Sequence, residues 1–183
     1  MKNLELRIAF CLLPFAFCLF SGCQPLQKTP NAPFPPEMVG TWETWFGPEQ
    51  KWAITFDRDG AITGMHHYVF GPMTAEEGGV YKDGPDPGTY MVAVLGPLQT
   101  EYVPLTNRLK ATVTIDSYTM QFVEGALKGR VIDKLEGPVT EDGTTWNIEW
   151  RSYGWLEGAD EPPIDFIDAN PELLVFHKVE VSQ

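Results

Sequence analysis

The sequence predicts an all-β domain over residues 38–183, a single antiparallel β-barrel of about eight to ten strands. Three observations carry that reading. Apolar and polar residues alternate with period two in run after run, which places every second side chain on one face. The runs are punctuated by turn pairs, Asp59-Gly60, Asp116-Ser117 and Asp142-Gly143. No amphipathic helical segment lies between them to carry a crossover, so neighbouring strands run antiparallel. One-sided alternation over so many strands closes into a barrel or into two packed sheets, and periodicity alone leaves the β-sandwich open as the alternative.

The first strand falls at 39–45. Residues 51–57 follow, with Trp52, Ile54 and Phe56 on one face and Lys51, Thr55 and Asp57 on the other. After the Asp59-Gly60 turn comes a less regular strand at 61–70. Residues 71–88 hold five glycines and three prolines and read as a long loop. Strands at 89–95 and 99–103 come next. The first is apolar on both faces, which marks it as covered from outside or as a place where something docks. Residues 109–116 turn Leu109, Ala111, Val113 and Ile115 inward and Lys110, Thr112 and Thr114 outward. Across Asp116-Ser117, Tyr118, Met120 and Phe122 share a face. A strand at 127–136 precedes one at 145–151, which sets Trp146, Ile148 and Trp150 against Asn147 and Glu149. Residues 154–172 read as a second long loop with six acids and no base, and a strand-like run at 173–181 ends the chain.

The segment ahead of the domain has a different composition. Lys2 and Arg7 precede an unbroken apolar run at 8–20, and Ser21-Gly22 follow it. The run falls well short of the roughly 20 residues that cross a bilayer, so residues 1–22 read as a secretory signal peptide. Its removal leaves 161 residues, enough for one domain with a real core, and Cys23 as the only cysteine. That excludes an intramolecular disulfide and a thiolate metal cluster. Residues 23–37 form a tether. Pro25, Pro30, Pro33, Pro35 and Pro36 favour extended chain, about 40 Å of it at about 3.1 Å per residue. The full chain of 183 residues has 13 basic and 25 acidic side chains, a net charge of −12. Such a surface repels phosphate backbones, which excludes nucleic acid as a partner.

Leu19-Phe20-Ser21-Gly22-Cys23 resembles the lipobox of bacterial lipoproteins, with Phe20 where leucine is usual. The resemblance implies cleavage before Cys23, lipidation of its sulfur and new amino group, and a stable membrane anchor of several acyl chains. Gln24, in place of aspartate, resembles the outer-membrane address of Gram-negative lipoproteins. Within the domain, Gly40-Thr41-Trp42 is similar to the G-x-W signature of lipocalins. Residues 52–56, the Asp59-Gly60 turn and Ile62 resemble the hairpin that follows it in bacterial lipocalin-like proteins. That likeness implies a lipocalin-like barrel, closed by a late arginine packed across the first-strand tryptophan. Arg151 is the candidate, with Gly40 and Trp42 as the rest of the closure motif, and such stacking contributes about 1–2 kcal/mol when shielded from water. The second lipocalin signature, T-D-Y, is absent; Ile115-Asp116-Ser117-Tyr118 is only an echo of it.

Trp52, Phe56, Tyr118, Phe122, Trp146 and Trp150, joined by Tyr90, are the inward aromatics. They either fill the barrel or line a cavity for one ligand. Asp133 falls on the face of Leu127, Val131 and Leu135, where a carboxylate is costly unless hydrogen-bonded. It either orients a ligand's polar end or is turned outward by a bulge. His66 and His67 are strand neighbours on opposite faces and do not share a metal, while His177, on the face of Val175 and Val179, reads as a core residue. Glu157, Asp160, Glu161, Asp165, Asp168 and Glu172 offer oxygens to calcium, but Pro162-Pro163 limit their convergence, and a solvated loop is the simpler reading. Asp57-Arg58-Asp59-Gly60 starts like a calcium loop, lacks its later ligands and reads as a turn. No metal and no cofactor are expected, and the G-x-S-x-G elbow, the P-loop and a catalytic cysteine are all missing.

The expectation is a membrane-anchored extracytoplasmic lipoprotein that binds a small apolar or amphipathic molecule. Trp52, Tyr90, Tyr118, Phe122, Trp146 and Trp150 would form the walls and Asp133 the polar anchor. The alternative is a structural or protein-interaction module of the cell envelope with a filled core. A carboxylate-based glycan hydrolase is a distant third, since abundant acids guarantee some close pairs.

Overall fold

The computed structural model describes residues 33–48, 50–158 and 171–180. The signal-like segment, Cys23, Gln24, most of the tether and the loop acids Asp160, Glu161, Asp165 and Asp168 lie outside these residues. The described chain is all-β. Its ten strands are β1 (Gly40–Trp45), β2 (Lys51–Phe56), β3 (Ile62–His67), β4 (Gly71–Thr74), β5 (Gly79–Asp83), β6 (Tyr90–Val103), β7 (Arg108–Phe122), β8 (Gly125–Pro138), β9 (Thr145–Leu156) and β10 (Glu172–Lys178). Each pairs antiparallel with its sequence neighbours, and β1 pairs with β10, so a plain meander closes into a barrel rather than a sandwich.

Two predicted strand pairs merge. Residues 89–95 and 99–103 are one strand, β6, whose register shifts between Val94 and Leu98. Residues 109–116 and 118–122 are likewise one strand, β7, and Asp116-Ser117 forms a bulge rather than a turn. Ser117 pairs with Val94, so the irregularities face each other across β6 and β7. A bulge sharpens local twist, which lets two long strands curve around a narrow barrel.

Residues 71–88 are not a long loop, because they contain β4 and β5. These strands touch through one pair, Thr74↔Gly79. Pro72 is tolerated on β4 because the strand is unpaired on its far side at that position.

One end of the barrel is plugged by side chains. Trp42, Phe56, Trp146, Phe176, Leu109 and Met38 are all at most 1% exposed. Trp146 packs edge-on against Trp42 at 6.5 Å between ring centroids and against Phe176 at 5.5 Å. Both tryptophan N–H groups are satisfied: Trp42 Nε1 donates to the Met38 carbonyl at 2.9 Å and Trp146 Nε1 to that of Gly137 at 3.2 Å. A 3-10 turn at Pro36–Met38 crosses this end, and Phe34 packs at a tilt against Phe56, 5.7 Å between ring centroids. Residues 34–37, read as tether from sequence, therefore belong to the packed domain.

Arg151 does not pack across Trp42. It shares the outward face of β9 with Asn147 and Glu149, and its Nη2 lies 3.3 Å from Glu149 Oε2. The cation over Trp42 is Lys178, at the end of β10, with Nζ 6.0 Å from the ring centroid. Lys178 also donates to the Glu37 carbonyl, which fastens the 3-10 turn to the barrel. Gly40, at φ 116°, has only the Lys178 Cε within reach of a built Cβ, at 3.7 Å. His177 is exposed and not a core residue. Leu174 and Phe176 take the inward face of β10, and strand alternation turns Val175 and His177 out.

Candidate functional site

The opposite end is built differently. Here β1, β3, β5, β7 and β9 finish and β2, β4, β6, β8 and β10 begin, as the meander requires. A cleft of about 680 Å³ opens between the β5–β6 connection and the β7–β8 hairpin. Lys82, Tyr90, Met91, Met120 and Phe122 contribute to its lining, with Asp83, Asp86 and Glu124 at the rim. Strand register explains the composition. Lys82 pairs with Met91, Met91 with Met120, and Met120 with Leu127, so one cross-strand row spans β5 to β8. Val80, Ala93 and Tyr118 form the next row toward the core.

Lys82 shares the face of Val80, which packs on the core. Its Nζ lies against Gly71, where φ is 75°, and a Cβ at that glycine would collide with it. Among the described residues, Lys82 has no hydrogen bond or ion pair.

Beneath the mouth, on the other side of the barrel, sits a buried polar cluster. Asp133 is fully buried and faces inward, as alternation requires and a bulge would have prevented. Its Oδ1 accepts from Trp150 Nε1 at 2.9 Å and its Oδ2 from His67 Nε2 at 3.0 Å. His67 Nδ1 accepts from the backbone N–H of Val69 at 3.1 Å and of Phe70 at 3.4 Å. Those two donors fix the tautomer: the ring proton sits on Nε2 and is given to Asp133. With both nitrogens engaged, His67 is not poised to take a proton from a substrate, and the pair does not form a catalytic dyad.

Aromatic rings wall this cluster. Trp52 stands edge-on to His67 at 4.6 Å, and Tyr68 stacks on His67 at 4.6 Å and meets Trp150 at 5.0 Å. Burial pushes the Tyr68 hydroxyl up to about 12, and the Asp133 charge adds to it, while a hydrogen bond with Ser152 works the other way. Trp52 Nε1 is buried without an acceptor among the described residues.

The structure thus places Trp52, Tyr118 and Trp146 inside and fully packed, and Trp150 inside and half-buried. Phe122 reaches the rim and is 53% exposed. Tyr90 does not join the interior aromatics. It faces outward on β6, stacked on Tyr81 at 6.0 Å, and borders the cleft from outside. Asp133 is engaged by donors of its own barrel and is no free anchor. Sequence reasoning missed Lys82 and the Met91–Met120 pair as site residues. The signal for Lys82 was its alternation with Val80 inside a segment too rich in glycine to look like a strand. Among the described residues, no group of three or more His, Cys, Asp or Glu side chains is placed to hold a metal ion. Comparison of the chain with protein-family models, with curated proteins and with solved structures gave no match.

Proposed function

We propose that this protein is a lipid-anchored, extracytoplasmic lipocalin-like barrel that holds a small apolar or amphipathic molecule at its open end. The observation that supports binding is the contrast between the two ends. One is filled by tryptophans and crossed by the N-terminal 3-10 turn; the other carries an apolar cleft of about 680 Å³. That volume falls within the usual range of small-molecule sites. Methionine walls adapt to irregular apolar shapes, and each 100 Å² of apolar surface covered is worth about 2.5 kcal/mol. The ligand position moves outward from the tryptophan-lined interior to Met91, Met120 and Phe122. The anchoring half of the proposal rests on the lipobox-like Leu19–Cys23 sequence.

The test is native mass spectrometry and Nile red titration of the chain carrying Cys23→Ser, which removes the acylation site. A non-covalent adduct of a small molecule, lost on denaturation, or saturable one-to-one dye uptake weakened by Met120→Gln, is expected. A bare protein mass together with no saturable uptake overturns the binding reading.

A second reading, a docking module of the cell envelope, draws on the β7–β8 hairpin. Its tip exposes Phe122 and Val123, the latter 75% exposed, and Leu127 flanks them. Shortening this hairpin should abolish capture of such a partner while the fold is retained.

A further inference from the structure

We propose that Lys82 is the polar anchor of the cleft, and that the molecule it selects carries an anionic head group, a carboxylate or a phosphate, on a linear apolar body. This rests on the cleft being a ligand site. The argument starts from register. Lys82, Met91, Met120 and Leu127 stand opposite one another on four consecutive strands. Adjacent strands lie about 4.8 Å apart, so the row spans about 14 Å between the Lys82 and Leu127 backbones, comparable to an extended alkyl chain of about ten to twelve carbons. The row changes from a cation to three apolar side chains in one direction, which matches the polarity of a single-headed amphiphile.

The ammonium itself is unusual. Lysine at a barrel rim ordinarily extends its stem over apolar surface and delivers its charge to water. Lys82 instead brings Nζ back against Gly71, which lacks the side chain that would exclude it. It is partly buried, and among the described residues it has neither counter-ion nor hydrogen bond. A half-buried ammonium with no acceptor beside it gains a charge-assisted hydrogen bond when an anion reaches it. The acids that line the cleft do not serve. Asp83 faces outward and accepts from the Tyr81 hydroxyl at 2.9 Å, and Asp86 and Glu124 stand at the rim. Those rim charges repel an anion held farther out, which leaves Lys82 as the seat for the head group.

The experiment titrates the Cys23→Ser chain with dodecanoate, dodecyl phosphate, dodecanol and dodecyltrimethylammonium, each displacing Nile red. Dodecanoate or dodecyl phosphate is expected to bind at least tenfold more tightly than dodecanol, with the ammonium compound weakest; the better of the two anions identifies the head group. Lys82→Met should abolish the anion preference and keep dodecanol binding, and Lys82→Arg should retain the preference, with thermal unfolding confirming that both variants are folded. If dodecanol binds as well as the anions in the parent chain, or if the preference survives Lys82→Met, Lys82 is not the anchor although the cleft still binds. If no alkyl probe displaces the dye, the cleft reading falls and the anchor with it.

Discussion

Asp133 shows how a buried carboxylate is made tolerable. Two donors converge on it, and neither has an alternative partner: Trp150 Nε1 has only Oδ1, and His67 cannot change tautomer because two backbone amides hold its Nδ1. Asp133→Asn keeps the shape and turns one acceptor into a donor, so one of these N–H groups must face another N–H. The expected loss is about 1–3 kcal/mol, the cost of a buried unsatisfied donor. Urea unfolding measures it, and an unchanged midpoint would mean that the carboxylate is not what satisfies the two rings. Tyr68, against the same cluster, gives the alkaline counterpart. Its hydroxyl is raised from 10.0 to about 12, chiefly by burial. Above pH 10 the unfolded chain releases this proton and the folded chain keeps it, so the unfolded state is favoured as pH rises. The contribution is complete below pH 10 and disappears toward pH 12. Stability followed across that window should fall less steeply in Tyr68→Phe than in the parent, and identical slopes would exclude the burial effect.

At the scale of elements, the weak point is the seam between β4 and β5. Every other neighbouring pair shares at least two register partners, whereas these strands share Thr74↔Gly79 alone. Few cross-strand hydrogen bonds mean a low free energy of local opening. Amide hydrogen exchange should therefore be fastest among strand residues in Gly71–Thr74 and Gly79–Asp83, and slowest in β7 and β8, which pair along most of their length. Protection in β4 equal to that in β8 would contradict the seam. The same stretch marks the limit of what sequence reveals. Period-two alternation located β2, β7 and β9 because their inward residues are apolar and their outward residues mostly polar. It failed at β4 and β5, where glycine and proline carry no face signal. It also reversed β10, where Val175 and His177 looked as credible inside as Leu174 and Phe176. Asp133 was legible as an inward acid from its strand phase, but its partner His67 lies 66 residues away, a pairing that only closure of the sheet creates.

For the molecule as a whole, the division of labour between the two ends is the testable property. Residues 34–38 run across the plugged end, with Phe34 on Phe56 and the Glu37 carbonyl accepting from Lys178, which adds to the packing there. If stability resides at one end and recognition at the other, substitutions should separate the two. Trp146 is fully buried and packs on Trp42, Phe56 and Phe176. Trp146→Phe removes volume that its neighbours cannot refill, at an expected cost of about 1–3 kcal/mol, and leaves the cleft unaltered. Met120→Gln, at the half-buried mouth, should change stability by less than about 1 kcal/mol and weaken dye uptake several-fold. Sites this far apart, with no shared neighbours, are expected to act additively. Melting temperature and Nile red affinity measured on both variants and on the double variant decide the matter. A Trp146→Phe protein that is folded yet has lost dye affinity would place the ligand inside the aromatic core after all, and a Met120→Gln protein with unchanged affinity would remove the mouth from the site.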